Sequence, residues 1–227
     1  MPVWLFSVLF VVALTLIGVV ARLNHADLDA LYVVFAVFFS TNLMISYWEI
    51  CLFHKRDYIE QRGTHWRARH EESGRSPIVE FLLAKVSLAR PFSPTLWADA
   101  WGAYSVYDES YVDRRTFGFN CDIANGYFTP VPTLMLYATF SVPFLPAVVA
   151  GILAAMLFWQ WVYVSTVYVV SFFVATRHRQ LRPGEVFGYI VVPDSPWVLI
   201  PLLGIYVAVR LIVDGDYAVL GLMSSSS

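Results

Sequence analysis

The chain has 227 residues, 58% of them hydrophobic and 17% aromatic, with a formal charge of −2. A mean hydropathy of +0.61 is too apolar for a soluble domain, and the near-neutral charge with no Gly-rich phosphate loop carries no sign of a nucleic-acid partner. Cys51 and Cys121 both fall at the ends of apolar runs and give no disulfide framework.

A helix needs about 20 apolar residues to cross a bilayer. Residues 3–21, 31–53, 123–142, 146–175 and 197–213 all qualify. The expected fold is therefore an all-α integral membrane protein, a five-transmembrane-helix bundle with an interfacial helical loop between spans 2 and 3. The first run has no basic residue ahead of it and no small-residue cleavage site before Arg22, so residues 1–22 read as a first transmembrane helix, not a signal peptide. The fourth run is long enough to tilt or to project beyond the bilayer, and Pro143 and Pro146 mark the tight turn before it. Residues 216–227 read as a tail that ends in the serine run Ser224–Ser227.

The connection between the second and third runs holds ten Lys and Arg, and Arg177, Arg179 and Arg182 follow the fourth run. The other side carries only Arg22 and Arg210, so the long loop and the N-terminus are expected in the cytoplasm. Within that loop, residues 55–76 read as solvated coil or a short exposed helix. Ser76-Pro77 offers an N-cap and a first-turn proline. Ile78, Leu82 and Val86 then share a helical face beside Val79 and Leu83. Glu80 and Lys85 make this segment too charged to span, so it is expected at the membrane interface. His65, His70, Glu71 and Glu72 read as solvated loop, because a spacing of five does not put both histidines on one helical face. From Trp97 on, Trp101, Tyr104 and Tyr111 recur at helical spacing and point one way.

Four acids lie in or beside the spans: Glu49, Asp122, Asp194 and Asp214. An ionised, unpaired carboxylate at membrane depth is costly, so such residues mark functional sites by default. Glu49 lies four residues before the end of the second run and is expected to be a neutral acid, fit to protonate an alkene. Asn125, three residues after Asp122, shares its helical face and can hydrogen-bond either form of the acid. Asp214, in Asp214-Gly215-Asp216-Tyr217, reads as a solvated turn.

The string Trp101, Tyr104, Asp108, Tyr111, followed by Asp122 at the mouth of an apolar helix, resembles the EXPERA family of sterol delta-8,delta-7 isomerases (emopamil-binding protein), the sigma-2 receptor and their relatives. The likeness covers roughly residues 33–212, with a charged insertion near 56–95 inside an EXPERA-like membrane domain over 30–215. Asp194, Ser195, Pro196, Trp197 and Pro201 resemble the family segment in which Asn, two apolar residues and Trp precede a Pro. Gln160, Tyr163, Ser165 and Tyr168 fall near its Gln, Tyr, polar residue and second Tyr. Phe35-Ala36-Val37 and Trp48 match the second helix. That helix carries a His and then a Glu in the family; Asn42 and Ser46 stand there in this chain, and Glu49 lies three residues on, near the same face and one turn further along. Trp48-Glu49 and Asp214-Gly215-Asp216-Tyr217 also resemble fungal-type transmembrane terpene cyclases.

The resemblance implies an integral membrane isomerase or cyclase acting on a sterol or terpenoid by protonating an alkene, with carbocation stabilisation by aromatic faces and proton removal elsewhere. The alternatives are a transmembrane terpene cyclase that opens an epoxide or protonates an alkene, and a non-enzymatic sterol or lipid-binding protein. Asp122, Glu49 and Asp194 are the candidate catalytic residues. Trp48, Trp101, Tyr104, Asp108, Tyr111, Asn125, Trp161, Tyr163, Tyr168, Trp197 and Asn42 are the candidate substrate-binding residues. No cofactor or metal is implied. The expected partners are the bilayer, the hydrophobic ligand and a second copy in a homodimer. The expected location is the endoplasmic reticulum in a eukaryote or the inner membrane in a bacterium.

Overall fold

A computed structural model describes residues 1–87 and 89–222. Among the described residues nine α-helices of seven residues or more carry the architecture: α1 Val3–Leu23, α2 Ala30–His54, α3 Arg56–Ser73, α4 Pro77–Leu83, α5 Pro94–Tyr104, α6 Phe117–Phe128, α7 Pro130–Ser141, α8 Ala147–Val174 and α9 Pro196–Asp214. No strand occurs among the described residues, where pairing is confined to a bridge between Pro2 and Lys85. This is an all-α chain. Four helical stretches are long and apolar enough to cross a membrane: α1, α2, α8 and the run Pro183–Asp214, which contains a π-helical turn at Val186–Val191 and ends in α9.

Four such stretches stand where the sequence predicts five. The run expected over 123–142 is divided into α6 and α7, each 12 residues long. At about 1.5 Å per residue each covers roughly 18 Å, short of a hydrocarbon core of about 30 Å. The break follows from Pro130 and Pro132, which remove the amides a continuous helix would need. The loop between the second and third runs is more ordered than expected. Of coil and short exposed helix, the two forms expected over 55–76, residues 56–73 take the helical one and extend it to 18 residues, α3, closed by Gly74 in the left-handed conformation at φ 68°. Ser76 caps α4 as its spacing suggests, accepting the Val79 amide. Residues 216–222 are not a free tail. Leu220 is fully buried, the Tyr217 hydroxyl donates to the Leu145 carbonyl at 2.8 Å, and buried Arg22 donates to the carbonyls of Phe140 and Leu220. Ser224–Ser227 lie outside the described residues.

The chain divides into two compact units. The first takes residues Met1–Phe10, Met44–Tyr127 and Val167–Pro193. Its core joins Leu52, Ile59, Ala98, Tyr111, Phe119, Tyr168 and Phe172, with a second cluster around Cys51, Trp66, Phe81 and Trp97. α3 lies on α5 through close backbone approach: a Cβ at Gly102 would stand 2.6 Å from Arg62 Cβ and 3.3 Å from the Gly63 nitrogen. Arg62 and the Trp66 indole both donate to Asp99 across this contact, at 2.5 and 2.7 Å. The second unit takes Val11–Leu43, Phe128–Thr166 and the residues from Asp194 on. Its core is a ring cluster of Phe35, Phe39, Phe140 and Phe158 with Trp161 beside it.

Candidate active site

The first unit brings the aromatic string and two acids together. α5 ends at Tyr104, and a 3-10 turn, Glu109–Val112, leads towards α6. Trp101 stacks on Tyr111 with ring centroids 4.7 Å apart, and Tyr104 meets Tyr111 edge-on at 5.3 Å. Tyr168, from α8, approaches Tyr111 at 6.3 Å. Three rings therefore pack around one buried phenol. The Trp101 indole donates to the Trp48 carbonyl at 2.9 Å, which ties this wall to α2.

The acids stand on α2 and α6. Tyr111 donates its hydroxyl to Asp122 Oδ2 at 2.7 Å. One turn further along α6, Asn125 donates to Glu49 Oε1 at 2.9 Å. Glu49 is 4% exposed, and its other oxygen is buried without a hydrogen-bond partner among the described residues. Asp122 is half-buried. Burial pushes the Asp122 carboxyl up to about 7, against the Tyr111 hydrogen bond, which favours the ionised form; the charge of Asp108 adds to the rise. α2 and α6 come this close because position 126 is glycine: a Cβ there would lie 2.8 Å from Glu49 Cβ and 2.9 Å from the Ile50 nitrogen.

Asp108, predicted to bind ligand, has another task. It is fully buried; Arg177 donates to its Oδ1 at 2.5 Å, Tyr168 donates to its Oδ2 at 2.7 Å, and the Ser110 amide donates to Oδ1 at 2.9 Å. Its acceptor capacity is engaged by the protein. Arg177 reaches it because Thr176 adopts φ 58°, a left-handed turn that costs a non-glycine residue about 1–2 kcal/mol and reverses the chain at the end of α8. Arg177, which by position alone reads as a topogenic loop charge, is an internal ion-pair partner. Tyr104 is likewise held, donating to the Tyr189 carbonyl at 2.9 Å.

The remaining predicted residues belong to the second unit. Asn42 is fully buried; it accepts from the Trp197 indole at 3.1 Å and donates to Thr133 at 3.4 Å. Trp161 is a core residue against Phe38 at 5.1 Å. Tyr163 is 55% exposed on α8 beside Trp159, at 58%. Asp194 is half-buried and has a partner within the fold. Asp214 closes α9 and pairs with Arg210 at 2.7 Å before Gly215 turns the chain. No group of three or more His, Cys, Asp or Glu placed to hold a metal ion occurs among the described residues. Gly126 carries no sequence signal of its own: its role shows only in the close approach of α6 to α2.

No protein-family model, curated protein or solved structure matches this chain.

Proposed function

We propose that this protein is a membrane isomerase or cyclase that moves a proton on a sterol or terpenoid alkene. The reading is carried by one observation: two carboxyl groups on adjoining helices, Glu49 with Asn125 and Asp122 with Tyr111, beside a Trp101–Tyr104–Tyr111–Tyr168 wall. Glu49 Oε2, buried without a hydrogen-bond partner among the described residues, is the proton donor. Asp122 is the acceptor, because the Tyr111 hydroxyl donates to it and so favours its ionised form.

The balance of the reaction is simple. Glu49 gives a proton to one alkene carbon, the positive charge passes under the indole and phenol faces, and Asp122 takes a proton from a neighbouring carbon. A proton passing from Asp122 back to Glu49 restores the pair, so an isomerisation consumes nothing. The test is mass spectrometry of lipid co-purified with the protein, before and after incubation in deuterated water. Deuterium on ring or chain carbons supports the reading; ligand mass unchanged by the wild-type protein over many hours sinks it.

A second reading is a non-enzymatic lipid-binding protein. It is favoured by Asn42 and Ser46, which stand where the EXPERA resemblance would place His and Glu. In the fold Asn42 is engaged with Trp197 and Thr133. Tight ligand capture without deuterium uptake would select it.

A further inference from the structure

A pocket of about 520 Å³ opens in the first unit, lined by Arg67 of α3, by Glu109, Ser110 and Asp113 of the 3-10 turn and its exit, and by Ser171 and Arg177 at and just beyond the end of α8. Phe117 and Ala175 also line it. α8 is one of the stretches able to cross a membrane. Its 28 residues extend about 42 Å at about 1.5 Å each, more than a hydrocarbon core of about 30 Å. The end of α8, and the pocket with it, therefore stands at the level of the phospholipid headgroups.

Two donors in residues of this wall have no acceptor. Ser110 Oγ and Arg177 Nε are buried without a hydrogen-bond partner among the described residues. The rest of the Arg177 guanidinium is committed, to Asp108 and to the Ser171 hydroxyl at 3.1 Å. A buried donor left unpaired is costly, and an acceptor brought by a ligand recovers that cost. Arg67 is exposed, and its guanidinium has no hydrogen-bond or ion-pair partner among the described residues. A phosphate ester offers several oxygens to such donors, and guanidinium groups bind it in forked pairs.

The wall is not simply basic. It holds two cations, Arg67 and Arg177, and two acids, Glu109 and Asp113. Asp113 accepts from the Arg115 guanidinium at 3.0 Å, whereas the exposed Glu109 carboxylate has no partner among the described residues. A pure anion meets repulsion from Glu109; a zwitterion satisfies both signs. Its ammonium must carry N–H groups to hydrogen-bond a carboxylate. A quaternary ammonium is recognised by an aromatic cage, and among the described residues that line the pocket only Phe117 is aromatic.

We infer that this pocket binds a phosphate ester that carries a primary ammonium, the chemistry shared by the phosphatidylethanolamine headgroup and by free phosphoethanolamine. Arg67, Arg177 and Ser110 meet the phosphate, and Glu109 meets the ammonium. Neither Glu49 nor Asp122 lines the pocket, so the inference stands apart from the acid-base reading.

The experiment uses the full chain, washed free of lipid in dodecyl maltoside, and native mass spectrometry with dihexanoyl phosphatidylethanolamine, phosphatidylcholine or phosphatidylglycerol. The phosphatidylethanolamine is expected to bind about 10-fold more tightly than either of the others, and Arg67→Gln to lower its affinity about 10-fold. Glu109→Gln is expected to abolish the preference over phosphatidylglycerol, because the ammonium loses its acceptor and the pure anion loses its repulsion. Ser110→Ala lowers the affinity while the melting temperature of the lipid-free protein holds, because the hydroxyl it removes bonds nothing among the described residues. Equal binding of all the lipids, an unchanged affinity in Arg67→Gln, a preference that survives Glu109→Gln, or a Ser110→Ala melting temperature that falls with the affinity each overturns the inference. Free phosphoethanolamine is then titrated against the bound lipid. Displacement is the expected result, and a lipid it does not displace overturns recognition through the headgroup. Equal affinities assign the site to the free ester, and a lipid about 10-fold tighter assigns it to the bilayer.

Discussion

Asp122 lies between two opposing influences: burial, which disfavours its charge, and the Tyr111 hydroxyl, which favours it. The expected outcome is a turnover that rises with pH through a midpoint near 7. A proton acceptor must be ionised, so activity is lost as pH falls below that value. Tyr111→Phe removes the donor that stabilises the ionised form and moves the midpoint to higher pH. Asp122→Asn keeps the shape and removes the acceptor, lowering turnover by at least about 100-fold. A pH profile of deuterium exchange checks all three together. A profile flat from pH 5 to 9, or a Tyr111→Phe midpoint shifted downward, removes Asp122 from the acceptor role.

At the scale of helices, two contacts decide whether the site exists. Gly126 permits α2 and α6 to touch, and the atoms a methyl would meet include the Ile50 nitrogen and the Ser46 carbonyl oxygen, backbone that cannot rotate away. Gly126→Ala is expected to cost about 1–3 kcal/mol by overpacking and to separate Glu49 from Asn125. A lowered melting temperature with turnover lost well below that temperature is the expected pattern; an unchanged melt would mean that α6 is free to move outward. The second contact is the Asp108–Arg177 pair, nearly sealed from solvent on both sides. Arg177→Met strands a buried carboxylate and is expected to cost about 3–5 kcal/mol, whereas Arg177→Met with Asp108→Leu recovers much of that loss. Thermal unfolding of the purified single and double variants is the measurement. A double variant no more stable than Arg177→Met would show that the pair does not act as a unit.

Across the whole chain, apolar length is legible where a single helix carries it. α1, α2 and α8 fall within a residue or two of their expected limits, because a 20-residue apolar run has few other ways to satisfy its backbone in lipid. The aromatic string was legible because Trp101 and Tyr104 share a helical face and Tyr111 follows within reach. Arg177 was not, since a cation after a span reads as a topological signal until Thr176 is seen to turn it back on Asp108. α3 was legible only as an exposed helix set beside coil, because its interior contacts, Ile59, Gly63 and Trp66, are few among 18 mostly polar residues. What the charges still predict is orientation. α3 and its neighbours carry most of the Lys and Arg, and Asn24 lies at the opposite end of α2. Ser73→Cys is therefore expected to react with an impermeant maleimide only in inside-out vesicles, and Asn24→Cys only in right-side-out vesicles, each read over the parent protein. Both residues are exposed, so reactivity reports sidedness. Labelling of both from one side would mean that α2 does not cross the bilayer. Glu49, and with it the acid pair, would then lie outside the hydrocarbon, where a carboxylate is solvated and has no reason to protonate an alkene.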